Sequence, residues 1–268
     1  MDLPKTEKIL CQRDGGWLTI WFNSPENRNA LSTQLTEEFM AVMRAIKDDR
    51  SIRGVTLRGK GGFFCAGGDL KSFSIGQSGD DAHAKFKTMN YEAGELFDLV
   101  MGLPQVVVAY VQGAAIAGGL GLMCCADIII VEKTAKFSLT ETMIGIAPAQ
   151  IAPIVVSRTG LPIARRIMLT GARFLGEDTP DYNLSDYVVE NEAEFEDVLK
   201  GLKKGVYKCA PGAVGMTKEI LMATAHLDRE GQKQFAAGKF ADAITSDEGR
   251  EGIASFVEKR KPSWAEDV

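Results

Sequence analysis

The run QVVVAYV at residues 105–111 sets the tightest limit on how this chain folds. It is far shorter than the roughly 18 apolar residues of a membrane span. Its alternation offers no polar face, so it reads as a strand covered on both sides, as in a parallel sheet flanked by helices. ADIIIVE (126–132) reads the same way, and GWLTIWFN (16–23), entered through a Gly-Gly turn, and IRGVTLRG (52–59) are two further strands. Between them, Leu35, Phe39, Val42, Met43 and Ile46 recur at helical spacing behind Ser32, a candidate cap. AHAKFKTMNYEAGELFDLVMGLP is a long helix closed by Gly102 and Pro104. Strand–helix–strand alternation up to residue 150 predicts an α/β domain with right-handed crossovers. Beyond residue 155 the patterns LPIARRIMLTG, GAVGMTKEILMATAHL and DEGREGIASFVEKRK are helical, and no buried strand is expected there. The acidic stretch FLGEDTPDYNLSDYVVENEAEFED receives no element. A core over residues 1–200 and a helical region over 201–268 are the expected division.

The 268 residues carry a formal charge of -5, with lysines and arginines dispersed, which argues against nucleic acid as a partner. The helix at 33–47 sets only Arg44 and Lys47 against Glu37 and Glu38. Five cysteines without a CxxC spacing read as free thiols in a reducing compartment. His83 and His226 stand far apart in polar stretches, which disfavours a histidine-centred metal site or a Ser-His-Asp triad. The N-terminal segment has no apolar h-region, so the expectation is a cytoplasmic protein that binds no membrane.

Two stretches demand a chemical explanation: FFCAGGDLKSF (63–73) and VQGAAIAGGLGLMCCAD (111–127). In each, a strand runs directly into consecutive glycines, at the carboxyl end where open α/β folds collect ligands. Bare backbone lets N–H groups point outward and a ligand approach without Cβ obstruction. Two such donors converging on one oxygen make an oxyanion hole. Taken singly, either cluster is explained equally well by close packing of turns. Neither fits GxGxxG or GxxxxGK[ST], so dinucleotide and P-loop readings gain no support.

PENRNALS, FFCAGGDLK, VQGAAIAGGLGLMCCAD, FSLTETMIGIAP and FVEKRKPSW resemble, in order, the motifs of the crotonase (enoyl-CoA hydratase/isomerase) superfamily. The resemblance runs from about residue 7 to 264. It implies a spiral of ββα turns with a C-terminal helical trimerisation region, assembled as trimers or as dimers of trimers. It implies acyl-CoA thioester substrates and no metal or redox cofactor, coenzyme A entering only as part of the substrate. Carried over by position, the oxyanion hole is the backbone N–H pair of Gly68 and Gly118.

Hydratases of the superfamily usually present two glutamates. One position matches Glu141; the other corresponds to Gly121, which cannot move a proton. Glu141 stands in apolar company, which raises a carboxyl pKa and suits it to proton transfer near neutrality; read from the residues alone, a capping or salt-bridging glutamate is the leading reading, and the resemblance is what turns it toward catalysis. A single carboxyl suffices to move a proton between two carbons, as in 3-enoyl to 2-enoyl isomerisation. Hydration needs in addition a held water. Within the superfamily the chain is similar to the isohexenylglutaconyl-CoA hydratase branch, which shares FCAGGD, the glycine at 121 and PAQIAPxVVxRxGL. The leading expectation is therefore hydration of a 2,3-unsaturated acyl-CoA, with isomerisation and thioester hydrolysis as alternatives.

The resemblance touches other residues. Arg28 would approach the phosphates or pantetheine of CoA, or is an exposed loop arginine. Ala66, Asp69 and Leu70 would frame the adenine, although Asp69 could instead cap a helix. Gln150 is a candidate polar group near the acyl pocket, or a solvated loop residue. Phe256 and Lys259 match a helix that closes over CoA, sometimes across a subunit boundary, and Phe256 is otherwise a core residue. Asp127 and Cys65 read as structural, and His83 as solvent-exposed.

Overall fold

The computed structural model describes residues 3–69 and 81–266, so Leu70 and most of the loop before His83 lie outside the described residues. Four apolar runs form the sheet that the sequence predicts. The strands are β1 (Ile9–Asp14), β2 (Trp17–Phe22), β3 (Gly54–Gly59), β4 (Val106–Val111), β5 (Ala114–Ile116), β6 (Ile128–Glu132), β7 (Lys136–Ser138), β8 (Arg173–Leu175) and β9 (Tyr187–Val189). The larger sheet has the order β1-β2-β3-β4-β6-β9, with β1 antiparallel to β2 and the other pairings parallel. β4 is covered on both faces, as its composition requires. Val107, Ala109 and Val111 join the main core, while Val108 and Tyr110 join a second cluster with Trp17, Ile130 and Phe195.

Helix α1 (Thr33–Ile46) starts at Ser32, whose hydroxyl accepts from the Leu35 N–H at 3.4 Å, and buries Leu35, Phe39, Val42, Met43 and Ile46. Helix α2 (Ala82–Met101) comes next, then the short α3 (Gly118–Cys124), α4 (Ala152–Thr159) and α5 (Leu161–Leu169). Helix α6 (Glu192–Val206) lays Phe195 and Leu199 on the second face of the sheet, where Phe195 stacks on Tyr110 at 3.8 Å between ring centroids. Helices α7 (Pro211–Ala223), α8 (Arg229–Thr245) and α9 (Asp247–Val257) complete the chain.

Beyond residue 155 there are two short edge strands, β8 and β9, neither of them the buried kind that the sequence pattern excludes there. Both are three residues long and lie within or beside the acidic stretch. Each pairs at a sheet edge and leaves most of its side chains outward, so neither carries the apolar run by which a buried strand is recognised. β1 is a further strand that no sequence pattern announces; it lies at an edge with only Ile9 fully buried.

The feature that builds the site is a second layer. After β4 the chain turns into β5, and after β6 into β7; β5 and β7 pair in parallel, with Ile116 opposite Ser138. After β3 the chain makes the same turn, and Cys65 bridges Ala115 in parallel. After β2, Leu31 bridges Gly68. Each turn therefore gives one strand to the large sheet and one short rung to the second layer, a ββα repeat.

Candidate active site

The rungs of the second layer end side by side, and their ends bring the chemically important groups together. Gly68 lies on one rung, Gly118 two residues past β5, and Glu141 three residues past β7. Hydrogen bonds lock the rungs together: Ile116 N–H donates to the Cys65 carbonyl at 3.0 Å, Leu31 N–H to Gly67 at 2.8 Å and Ala117 N–H to Ser138 at 2.9 Å.

Gly67 has φ 91, and a Cβ there would lie 2.7 Å from the Ile116 carbonyl oxygen, so only glycine fits this turn. A Cβ on Gly118 would stand 3.6 Å from the Gly68 nitrogen, which places the two amides around one small space. Among the described residues neither the Gly68 nor the Gly118 N–H donates to an acceptor. Ala117, just before Gly118, is held at φ 51 and ψ -123, a conformation costly for a residue with a Cβ. That strain sits where the peptide carrying the Gly118 N–H is aimed, and no sequence signal announces it.

Glu141 opens a single 3-10 turn, Glu141–Ile144, and is 9% exposed. Its Oε2 is buried without a hydrogen-bond partner, and burial raises the carboxyl pKa above the usual carboxylate range against a smaller opposing pull from its own backbone N–H. A buried carboxyl with an uncommitted oxygen is equipped to take and return a proton.

The position of the missing second acid is occupied. Gly121 lies one helical turn past Gly118, on the same face. A Cβ built there would fall 2.2 Å from Ile151 Cγ2 and 2.6 Å from Ile151 Cβ. Ile151 is 4% exposed. Gly121→Glu is thus expected to destabilise the fold by about 1–3 kcal/mol through overpacking, and Ile151→Gly added to it should recover part of that loss. Urea unfolding measures both; a Gly121→Glu variant as stable as the parent would show that Ile151 does not hold this space.

The structure brings some of the remaining candidates to the site and leaves others apart. Arg28 is exposed in left-handed backbone at φ 58, and its carbonyl accepts from the Ala66 N–H at 3.0 Å, which sets both beside the Gly67–Gly68 turn. Asp69 is partly buried and is the last described residue before Leu70, which itself lies outside the described residues. The Gln150 amide is engaged elsewhere: its Nε2 donates to Asn90 Oδ1 of α2 at 3.0 Å. Phe256, 84% exposed, and Lys259 sit at the far end of the chain. Among the described residues no hydrogen bond, ion pair or ring contact joins either of them to Gly68, Gly118 or Glu141. Asp127 is structural, accepting from the Val107 N–H at 2.7 Å and pairing with Lys218. The Cys65 thiol is fully buried and pushed up to about 12 by burial, which leaves it no nucleophilic thiolate near neutrality. Among the described residues no group of three or more His, Cys, Asp or Glu could hold a metal ion, and no helix is long and apolar enough to cross a membrane.

The family model described as enoyl-CoA hydratase/isomerase matches residues 12–267. A putative enoyl-CoA hydratase of Thermus thermophilus is 30% identical over 95% of this chain and 100% of its own. A carnitinyl-CoA dehydratase of Proteus mirabilis is 33% identical over 93% of this chain and 95% of its own. Among solved structures, Pseudomonas aeruginosa AtuE superimposes with a TM-score of 0.91 at 41% identity, covering 97% of this chain and 100% of that one. An enoyl-CoA hydratase/isomerase from Marinobacter aquaeolei gives 0.90 at 39% identity, covering 97% and 99%. The chain belongs to the enoyl-CoA hydratase/isomerase family, within the crotonase superfamily, and has its mixed α/β fold with a helical C-terminal region.

Proposed function

We propose that this protein hydrates a 2,3-unsaturated acyl-CoA thioester, with Glu141 as the proton carrier and the Gly68 and Gly118 amides as the oxyanion hole. One observation carries the reading: a buried carboxyl with an unpartnered oxygen stands past the rung next to two unpartnered amides. Glu141 as carboxylate takes a proton from water while the water oxygen bonds to C3. The C2–C3 π pair moves toward C1, and the thioester oxygen becomes an enolate oxygen held by the two N–H groups. Fixed donors aimed at that oxygen act most strongly as its charge develops, which lowers the barrier rather than merely binding substrate. The Glu141 proton then passes to C2, and water has been added across the double bond. The PAQIAPIVVSRTGL segment, similar to that of isohexenylglutaconyl-CoA hydratases, supports a branched unsaturated acyl chain. Arg28 and Ala66, beside the hole, would take the CoA portion.

Ile151 favours a second reading. An apolar side chain where a second acid usually stands offers no help in holding water. A 3-enoyl to 2-enoyl isomerase needs none, since Glu141 would take the proton from C2 and return it to C4. A panel of 2-enoyl and 3-enoyl CoA esters separates the chemistries. Loss of conjugated enoyl absorbance without thiol release supports hydration. A gain of absorbance from 3-enoyl esters would replace hydration with isomerisation, and thiol released at the rate of substrate loss would replace both with hydrolysis.

We further propose a trimer or a dimer of trimers built on the C-terminal helices. Leu221, Phe240 and Ile253 are 63%, 66% and 53% exposed there, a large apolar area for a lone chain. Light scattering of the purified protein should give three or six times the mass of one chain, and a monomer would refute the assembly.

A further inference from the structure

Glu141 lacks the usual device for orienting a proton carrier, a hydrogen bond from a neighbouring side chain to its free oxygen. Its aim must therefore come from where its backbone is held. At the front, β7 pairs with β5, and the Ile146 N–H ties back to the Glu141 carbonyl at 3.1 Å. Behind it, residues 142–147 are exposed, and the turn is tied at its start by the Thr142 hydroxyl, which donates to the Met168 carbonyl of α5 at 3.2 Å, and by Met143, which lies against Gly171.

The rear is held by a pair of consecutive side chains in two notches. Gln150 lies against Gly94 of α2, where an added Cβ would come 2.7 Å from its Oε1; its amide is also bonded to Asn90, one turn earlier on the same face. Ile151 fills the notch at Gly121 of α3. Glycine inside a helix is unfavourable relative to alanine, and both notches fall opposite neighbouring residues of one segment. That segment then enters α4, with Val155 N–H donating to the Ile151 carbonyl at 2.9 Å.

We infer that Gln150 and Ile151 are positioning residues, which clamp the Glu141 segment between α2 and α3 and thereby aim its carboxyl at the space beside the Gly68 and Gly118 amides. This rests on the reading of Glu141 as proton carrier, and it assigns Gln150 to the scaffold rather than to substrate.

The test is a mutant cycle on the full-length protein with its best enoyl-CoA ester. Ile151→Ala and Gln150→Ala should each lower kcat by about tenfold or more with KM within about twofold, the split expected when an interaction specific to the transition state is lost. Ile151→Val, which keeps both γ carbons, should stay near the parent. Added to Glu141→Gln, either alanine change should cost nothing further, because the group it positions is gone. A rise in KM with kcat unchanged would make these side chains acyl contacts and overturn the proposal. So would full additivity with Glu141→Gln. A Glu141→Gln enzyme as active as the parent would instead remove the proton-carrier reading itself, and the two failures are told apart in one data set. Melting temperatures guard against simple unfolding: a variant that retains KM and melts near the parent while losing kcat supports the clamp, and one that loses kcat only in proportion to its unfolded fraction refutes it.

Discussion

Replacing Glu141 with glutamine is expected to lower kcat by at least about a hundredfold while acyl-CoA binding persists. Glutamine keeps the size and one oxygen of the side chain but cannot carry the proton. The pH profile should change with it. Burial holds the Glu141 pKa above the ordinary carboxylate range, so the parent's rate should rise along an acid limb displaced upward from that of a free glutamate, and the variant should lose that limb. Stability responds with the opposite sign. A carboxyl whose folded pKa exceeds its unfolded one binds its proton more tightly in the folded state, so stability is lost as pH rises from the unfolded pKa through the folded one. Glutamine removes that loss. The inactive variant should therefore be at least as stable as the parent at neutral pH, by thermal melting, and should lose its advantage in acid. Turnover unchanged in Glu141→Gln would end its assigned role.

The second large effect is expected at Gly118. Gly118→Pro removes that N–H at the first residue of α3, a position where a helix tolerates proline, but it also sets the ring Cδ in place of the hydrogen and restricts Ala117 before it, whose backbone is held at φ 51. Losing one donor of an oxyanion hole costs about 10²–10³ in kcat. Gly118→Ala is the control for bulk: its methyl would meet Leu31 Cδ1 at 3.5 Å and the Gly68 nitrogen at 3.6 Å, ordinary contacts, and the donor remains. The expected order is parent, then alanine, then proline, with KM changing less than kcat. Equal losses in the two variants would mean that position 118 avoids bulk rather than supplies a hydrogen bond.

Much of this is legible in the sequence because it is written in short, local patterns. β4 and β6 are apolar runs, α1 has its cap and period, and glycines at strand ends mark bare backbone whatever their purpose. Gly68, Gly118 and Glu141 stand out because ordered motifs surround them. The rest depends on contacts between distant residues. β8 and β9 are short edge strands whose burial is partial, so their stabilisation comes from partners rather than from composition. Ile151 in the place of an acid cannot be read from Gly121, since the glycine says only that space is needed and not what fills it. The tie between Gln150 and Asn90 joins residues 60 apart, and without it Gln150 reads as a group aimed at the acyl chain. Phe256 matches a CoA-covering helix, and within one chain it is exposed, so its partner cannot be read from its own neighbours.

The most direct measurement is a crystal structure of the protein with a saturated acyl-CoA, which can occupy the site but has no double bond to react. The thioester oxygen should lie within about 3.2 Å of both the Gly68 and Gly118 nitrogens, with the Glu141 carboxyl facing C2. A thioester oxygen bound away from either amide, with the acyl-CoA otherwise well ordered, would contradict the shared grip on which the chemistry rests.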